Sequence, residues 1–404
     1  MGSPTKPHHK PLAPLWIGVA IYFYAFIAIG IAEAGLGVLL PSILVAYNLT
    51  PATVTLLFVS QISGYIMAAL TSSWVSSRLG LGRMLLLAAS LLVLALLTYA
   101  LSPAWWLMVA TGTLLGLGIG LIDAGVNTVI VQDSHTAHLI GMLHGFYGIG
   151  ALSGPAIATT LLALGMSWRQ VYGVLAGLIS LLLVGVLSAL LYRYPPLLKP
   201  PSTGQSPSWG NFRQALQTPL VLLFGAFLLV YVGIEASFSN WAYSVQVIAR
   251  STPPLVAGYS VSAYWMGLTL GRFMLGYFLR SLGAICTISM SLILLTIGLL
   301  AWWQLPDQGL SLPLIGFALA AIFPAIIWLM PKCLPEALVP AAIGFATSAA
   351  SVGAALIPTG IGWLANGLGL GMIPLFMLPL AIVMGSLHFG LMHYSEALCK
   401  SSNG

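Results

Sequence analysis

Charged side chains are scarce in this sequence. Of 404 residues, 13 are Lys or Arg and 7 are Asp or Glu, so charged residues make up 5% of the chain. A soluble domain carries about 25% charged residues, and the composition therefore excludes a soluble globular protein. Cysteine is also rare, and Cys286, Cys333 and Cys399 lie far apart without CxxC or His-paired spacing. This spacing favours neither a disulfide framework nor a metal site, and we expect no cofactor.

Long apolar runs take the place of charge. Runs long enough to cross about 30 Å of hydrocarbon as helices recur along the whole chain. They lack the alternation of a β-barrel, and lipid cannot satisfy open backbone groups, so the fold class is an all-α membrane protein. Pro, Gly and charged residues interrupt the apolar runs and divide them into twelve predicted membrane spans: 15–44, 51–77, 84–102, 104–131, 138–165, 168–192, 219–248, 254–280, 284–304, 309–333, 339–365 and 370–396.

The one long polar connection divides the chain into related halves. It is rich in Pro, Ser and Gly and predicts a six-helix bundle at 1–192, a cytoplasmic linker at 193–217 and a second six-helix bundle at 218–404. An offset of 203 residues superposes the halves, laying Gly64 on Gly267, Gly150 on Gly353 and Pro155 on Pro358. One residue of slip adds Glu33 on Glu235. A constant offset across two separate helix pairs predicts that the two halves are an internal repeat.

The distribution of Lys and Arg predicts the orientation. With the N-terminus inside, Arg169 and Arg250 fall outside, while ten basic residues fall on the cytoplasmic side: Lys6, Lys10, Arg78, Arg83, Arg193, Lys199, Arg213, Arg280, Lys332 and Lys400. We therefore expect a multi-pass protein of the cell inner (plasma) membrane with both termini cytoplasmic. The basic excess reflects this distribution, and the sequence has no aromatic-basic patch for nucleic acid.

Several motifs carry a resemblance to a known family. They are GVLLPSIL in the first span, Asp123-x-x-x-Asn127 in the fourth, HGFYGIGALSGP in the fifth, YVGIEASFSNWAY in the seventh, YWMGLTLGRFMLGYFLRSLG across the eighth and IFPAIIWLMPKCLP in the tenth. The chain resembles the major facilitator superfamily, and within it the fucose-permease branch, which includes sodium-coupled glucose carriers. The resemblance implies the major facilitator fold of two pseudo-repeated six-helix bundles.

The family's functional positions are only partly matched. The acid and asparagine of the fourth span carry over as Asp123 and Asn127. The first-span acid of the proton-coupled fucose carriers falls at Gly37, with Glu33 one turn earlier, and the fifth-span asparagine falls at Tyr147.

Three acids, Glu33, Asp123 and Glu235, lie well inside predicted helices, where facing lipid costs several kcal/mol. Asp123 and Asn127 share one helix face, where they either bind a sugar or a cation or join helices by a hydrogen bond. In the resembling family, the first and seventh spans face each other across a central cavity. Glu33 and Glu235 then either bind substrate or the coupling ion, or pair permanently with a base, for which Arg272 is the obvious partner of Glu235.

Other candidate site residues are a histidine and several aromatics. His144 either relays protons or packs in the helix bundle. Trp241, Trp265 and Tyr147 suit stacking on the apolar face of a pyranose, although aromatic rings also fill cores.

These features favour a secondary active transporter that moves a sugar or similar small polar solute by ion-coupled alternating access, as a symporter driven by H⁺ or Na⁺. The alternative is an exporter of lipophilic compounds. An enzyme is disfavoured because no nucleophile, base and orienting group recur at a recognisable spacing. We expect the partners to be a small-molecule substrate and the lipid bilayer, with the protein a monomer.

Overall fold

The computed structural model describes residues 15–132, 139–198, 209–305 and 309–401. Within these ranges the chain is helical and contains no strand. The α-helices are α1 (Leu15–Ala46), α2 (Pro51–Leu101), α3 (Trp105–Gln132), α4 (Ile140–Ala163), α5 (Trp168–Leu191), α6 (Pro195–Leu198), α7 (Trp209–Leu216), α8 (Pro219–Ser244), α9 (Pro254–Ser281), α10 (Gly283–Gln304), α11 (Ser311–Ala320), α12 (Ile322–Cys333), α13 (Val339–Leu368) and α14 (Ile373–Ser401). A π-helical turn, Val245–Ala249, extends α8.

The helices account for the twelve predicted spans. Ten helical segments of the described ranges are long and apolar enough to cross a membrane, counting α11 and α12 as one segment. The 51-residue α2 supplies two crossings because Gly80 interrupts it at φ 74°, a conformation that glycine adopts without steric cost. The less apolar α9, with 28 residues, supplies the twelfth. The all-α fold class with twelve membrane helices is therefore confirmed.

Local geometry differs from the predicted boundaries at two places. The second and third spans are joined without a loop, since the chain turns at Gly80 itself. The tenth span is two helices, α11 and α12, that meet at Ala321. Pro324 explains this break, because it has no N–H to donate to the carbonyl of Ala320. Lys6, Lys10 and Lys199 of the orientation argument lie outside the described residues, as do residues 199–208 of the predicted linker.

The packing repeats between the halves. In the first half α1 packs on α4 and α2 packs on α3; in the second half α8 packs on α13 and α9 packs on α11. Equivalent glycines allow these contacts: a side chain at Gly64 would collide with the backbone of Thr113, and one at Gly267 would collide with the backbone of Pro313. Small residues let membrane helices approach closely, which explains why the sequence repeat is visible mainly in glycines.

The bundle has two ends, which we name by residues in their turns. The Asn48 end holds the turn between α1 and α2, and the Gly80 end holds the kink inside α2. On α1, residues 28–32 and 34–40, on either side of Glu33, are all buried, whereas residues 16–27, farther towards the Gly80 end, include buried, partly exposed and exposed positions. The helix is therefore enclosed on both sides of Glu33 and becomes more open only from residue 27 towards the Gly80 end.

The two halves meet closely at the Asn48 end. A side chain at Gly37 of α1 would collide with the backbone carbonyl of Ser239 on α8. Trp241 is fully buried there, and its ring lies 5.6 Å from that of Phe58 on α2. Gly362 of α13 in turn packs against Trp241. The cleft between the halves is thus closed at the Asn48 end.

Candidate functional site

Glu33 lies on α1 as the one exposed residue in a stretch, 28–40, that is otherwise buried. Its side chain is exposed although its neighbours Ala32 and Ala34 are buried, at 3% and 0%. Tyr147 of α4 donates a hydrogen bond to it, with 2.9 Å between the hydroxyl and Oε2. An accessible carboxylate among buried neighbours at mid-helix indicates an aqueous cavity, because a charge facing lipid is costly.

Glu235 occupies the equivalent place on α8 but has more partners. Tyr231, one turn earlier on the same helix, donates a hydrogen bond to its Oε2. Arg272 of α9 forms an ion pair with it, with 3.5 Å between Nη2 and Oε1 and side chains 20% and 14% exposed for Arg272 and Glu235. The negative charge of Glu235 is therefore compensated within the protein.

Asp123 of α3 is the third carboxylate of the site. Its Oδ2 accepts a hydrogen bond of 2.6 Å from Tyr65 of α2, and its Oδ1 accepts one of 2.8 Å from the amide of Asn127, one turn away. The same-face prediction for this pair thus corresponds to a direct contact. The amide oxygen of Asn127 is buried without a hydrogen-bond partner.

Glu33 lies close enough to each of the other two carboxylates for their charges to interact. Glu33 interacts with both Glu235 and Asp123, and Tyr147 interacts with Glu33, Glu235 and Arg272. Side chains of α1, α3, α4, α8 and α9 therefore form one polar cluster that joins the two halves. Among the residues that the structure describes, Glu235 has a basic partner within 4 Å, whereas Glu33 and Asp123 have none.

The remaining predicted site residues lie at different distances from this cluster. The ring of Trp265 is 6.1 Å from that of Tyr147, and its buried indole N–H has no hydrogen-bond partner. His144 is exposed, packs edge-on against Phe26 at 5.8 Å and is within electrostatic range of Arg272. Both are neighbours of the cluster.

Trp241 is separate from the cluster. Its indole N–H donates a hydrogen bond of 3.0 Å to the carbonyl of Pro358, and its ring is enclosed where the halves meet. In this conformation it contributes to closure at the Asn48 end and presents no ring face to the cavity.

Sequence reasoning did not predict that tyrosines are the hydrogen-bond partners of the acids, although it named Tyr147 as a site residue for stacking. Each of the three carboxylates accepts a hydrogen bond from one tyrosine hydroxyl, namely Tyr147, Tyr65 or Tyr231. Tyr231 could have been found from its spacing, because it lies four residues before Glu235 and so shares its helix face. Tyr65 lies on a different helix from Asp123, and no local pattern links them. Within the described ranges, no group of three or more His, Cys, Asp or Glu is placed to hold a metal ion.

Comparison with known proteins places the chain in a family. Residues 22–314 match the family model of the Major Facilitator Superfamily. The chain is similar to Bypass of stop codon protein 6 of Saccharomyces cerevisiae, at 24% identity over 92% of this chain and 82% of that protein. It is also similar to the Glucose/mannose transporter GlcP of Bacillus subtilis, at 25% identity over 86% of this chain and 88% of that protein.

Solved structures share the fold at lower identity. The nucleoside transporter NupG superposes with a TM-score of 0.76 at 16% identity, covering 94% of this chain and 99% of that one. A D-xylose-proton symporter superposes with a TM-score of 0.69 at 16% identity, covering 92% and 97%. The family match, the helical architecture and the polar cluster between the halves together show that this chain, a membrane transporter and not an enzyme, belongs to the Major Facilitator Superfamily.

Proposed function

We propose that the protein is a secondary active transporter that moves a sugar or a similar small polar solute by ion-coupled alternating access. The observation that carries this proposal is the cluster of three carboxylates and one guanidinium between the halves, in a chain with only 5% charged residues. Carboxylates at membrane depth are costly and mark substrate or ion pathways. The similarity to a glucose/mannose transporter over most of both chains supports the sugar assignment.

Charge compensation supports coupling to an ion. With every group ionised, the cluster would hold three negative charges, from Glu33, Asp123 and Glu235, against the positive charge of Arg272. Closing a cavity around uncompensated carboxylates is unfavourable because they lose water. Binding of one H⁺ or Na⁺ at Asp123 lowers the net negative charge of the cluster by one and so reduces this penalty, and the loaded protein closes more readily than the empty one. This difference between loaded and empty protein couples the solute to the ion gradient.

The closed Asn48 end supports alternating access. The basic residues favour a cytoplasmic Gly80 end, so the conformation described here corresponds to the inward-facing one, in a plasma-membrane monomer with cytoplasmic termini. Contacts across the cleft at Gly37 and Trp241 must separate when the halves rock to expose the site to the other side. Glycine at position 37 permits close approach without a permanent bond, which suits a contact that opens and closes.

Uptake by proteoliposomes tests the proposal. Purified protein should concentrate a labelled hexose when an ion gradient is imposed, and Glu33→Gln should reduce this uptake. The matched control is Glu336→Gln, because Glu336 is exposed in the 3₁₀ turn before α13. This variant should transport like the parent. Absence of hexose transport together with efflux of a lipophilic dye would contradict the proposal and favour an exporter of lipophilic compounds.

A further inference from the structure

The two repeat-related glutamates are not equivalent in their surroundings. Glu235 accepts a hydrogen bond from Tyr231 and is paired with Arg272, and its side chain is 14% exposed. Glu33 accepts one hydrogen bond, from Tyr147, at Oε2, and its side chain is exposed. Glu33 therefore offers an accessible acceptor with a charge that no described basic residue within 4 Å neutralises.

The charge of the whole cluster adds to this asymmetry. Asp123 interacts with Glu33 and likewise has no ion pair among the residues that the structure describes, and its hydrogen-bond donors Tyr65 and Asn127 are neutral. A solute approaching Glu33 thus meets a negative potential. Such a potential attracts a cationic group and repels a carboxylate, because in a cavity with low-dielectric walls the field is poorly screened.

A second observation is a buried donor beside Tyr147 that has no partner among the residues that the structure describes. The indole N–H of Trp265 is buried and has no hydrogen-bond partner. The residue is 3% exposed, and its ring packs beside that of Tyr147. An unsatisfied buried donor costs about 1–3 kcal/mol. A hydroxyl or ring oxygen of a solute can accept from this N–H once the site rearranges around it, whereas an ammonium group cannot. A ligand with oxygen acceptors would therefore satisfy this donor.

We propose that the site selects its substrate by charge, taking neutral and amine-bearing sugars and excluding sugar acids, and that Glu33 sets this preference. The inference rests on the proposed sugar transport. Glu33 accepts hydrogen bonds from a substrate hydroxyl or ammonium group. Glu235 is a positioning residue, held by Arg272 and Tyr231. An ammonium group gains more from Glu33 than a hydroxyl does, because the attraction between opposite charges adds to the hydrogen bond.

The test uses three probes of the same ring size: glucose, glucosamine and glucuronate. Their affinities are measured by isothermal titration of the purified protein, at a pH where the amine is protonated, so that no turnover is needed. For the parent protein, glucosamine should bind at least as tightly as glucose, and glucuronate should bind about tenfold or more weakly. Glu33→Gln should bring both affinity ratios, glucosamine to glucose and glucose to glucuronate, closer to one. Glu33→Asp, which keeps the charge, should restore the order, and Glu336→Gln should leave both ratios as in the parent.

The outcomes separate the inference from the proposed function. If glucose binds but glucuronate binds equally well, charge selection is overturned while sugar transport stands. Unchanged ratios in Glu33→Gln would overturn the role of Glu33. If none of the three sugars binds to folded parent protein, the proposed function fails and this inference fails with it.

Discussion

Replacing Arg272 by Met tests the ion pair that Arg272 forms with Glu235. The Nη2–Oε1 distance is 3.5 Å, and both side chains are at least four-fifths buried. At an effective dielectric constant of about 20, two unit charges at this distance attract by about 5 kcal/mol. The desolvation of both groups offsets much of this attraction in the intact pair. Removing one partner leaves Glu235 uncompensated and should cost about 3–5 kcal/mol of stability.

The double variant Arg272→Met/Glu235→Gln should be more stable than either single variant, because it leaves no buried unpaired charge. The assay is a double-mutant cycle on the unfolding of purified protein in detergent. We expect a coupling free energy of roughly 2–3 kcal/mol between the two positions. Arg280→Met is the matched control, since Arg280 is an exposed arginine of the same helix and should shift stability by about 0.5 kcal/mol or less. Additive single effects would refute the assignment of Arg272 as the counter-charge of Glu235.

Three further predictions concern closure and orientation. Gly37→Ala places a methyl group against the Ser239 carbonyl and should hold the two halves apart at the Asn48 end. A cysteine introduced in the closed part of the cleft should then be labelled more by a membrane-impermeant thiol reagent, whereas the control Gly173→Ala, with open space around it, should not increase labelling. Equal labelling in the two variants would count against closure at Gly37. Trp241→Phe removes the N–H donated to α13 and should cost about 1–3 kcal/mol of stability in the same unfolding assay; no loss would show that this bond contributes nothing. A reporter fused at Lys400 should behave as a cytoplasmic marker, and an outside signal would reverse the orientation.

Much of the fold was predictable because hydropathy and glycine spacing both depend on the membrane environment. Apolar runs located every crossing, and the offset that superposes Gly64 on Gly267 corresponds to equivalent close contacts in the two halves. The joined second and third spans were not predicted, because a loop and a sharp turn at Gly80 have the same hydropathy. The break at Ala321 could have been predicted from Pro324, which removes one helix hydrogen bond.

The site was predictable where a polar residue was alone in an apolar helix. This contrast identified Glu33, Asp123 and Glu235, and the repeat related the two glutamates. The environments of the two glutamates differ because Arg272 pairs with Glu235 and Tyr147 bonds to Glu33, each from another helix. The sequence alone therefore could not show that Glu235 is compensated and Glu33 is exposed. Tryptophans gave no such contrast. Indole rings are common both in cavities and in helix packing, and only packing distinguishes Trp241 from Trp265.

The central claim is that an uncompensated carboxylate couples solute movement to an ion gradient. The most direct measurement is accumulation of labelled glucose by proteoliposomes under an imposed proton gradient and, separately, an imposed sodium gradient, for the parent protein and Asp123→Asn. The substitution keeps the size of the side chain and one acceptor oxygen, replaces the other oxygen by an amide donor, and removes the charge. We predict accumulation by the parent under one of the two gradients, and a much larger loss of accumulation than of glucose exchange in Asp123→Asn. Equal accumulation by parent and variant would contradict the role of Asp123, and parent protein that exchanges glucose without accumulating it under either gradient would contradict ion coupling.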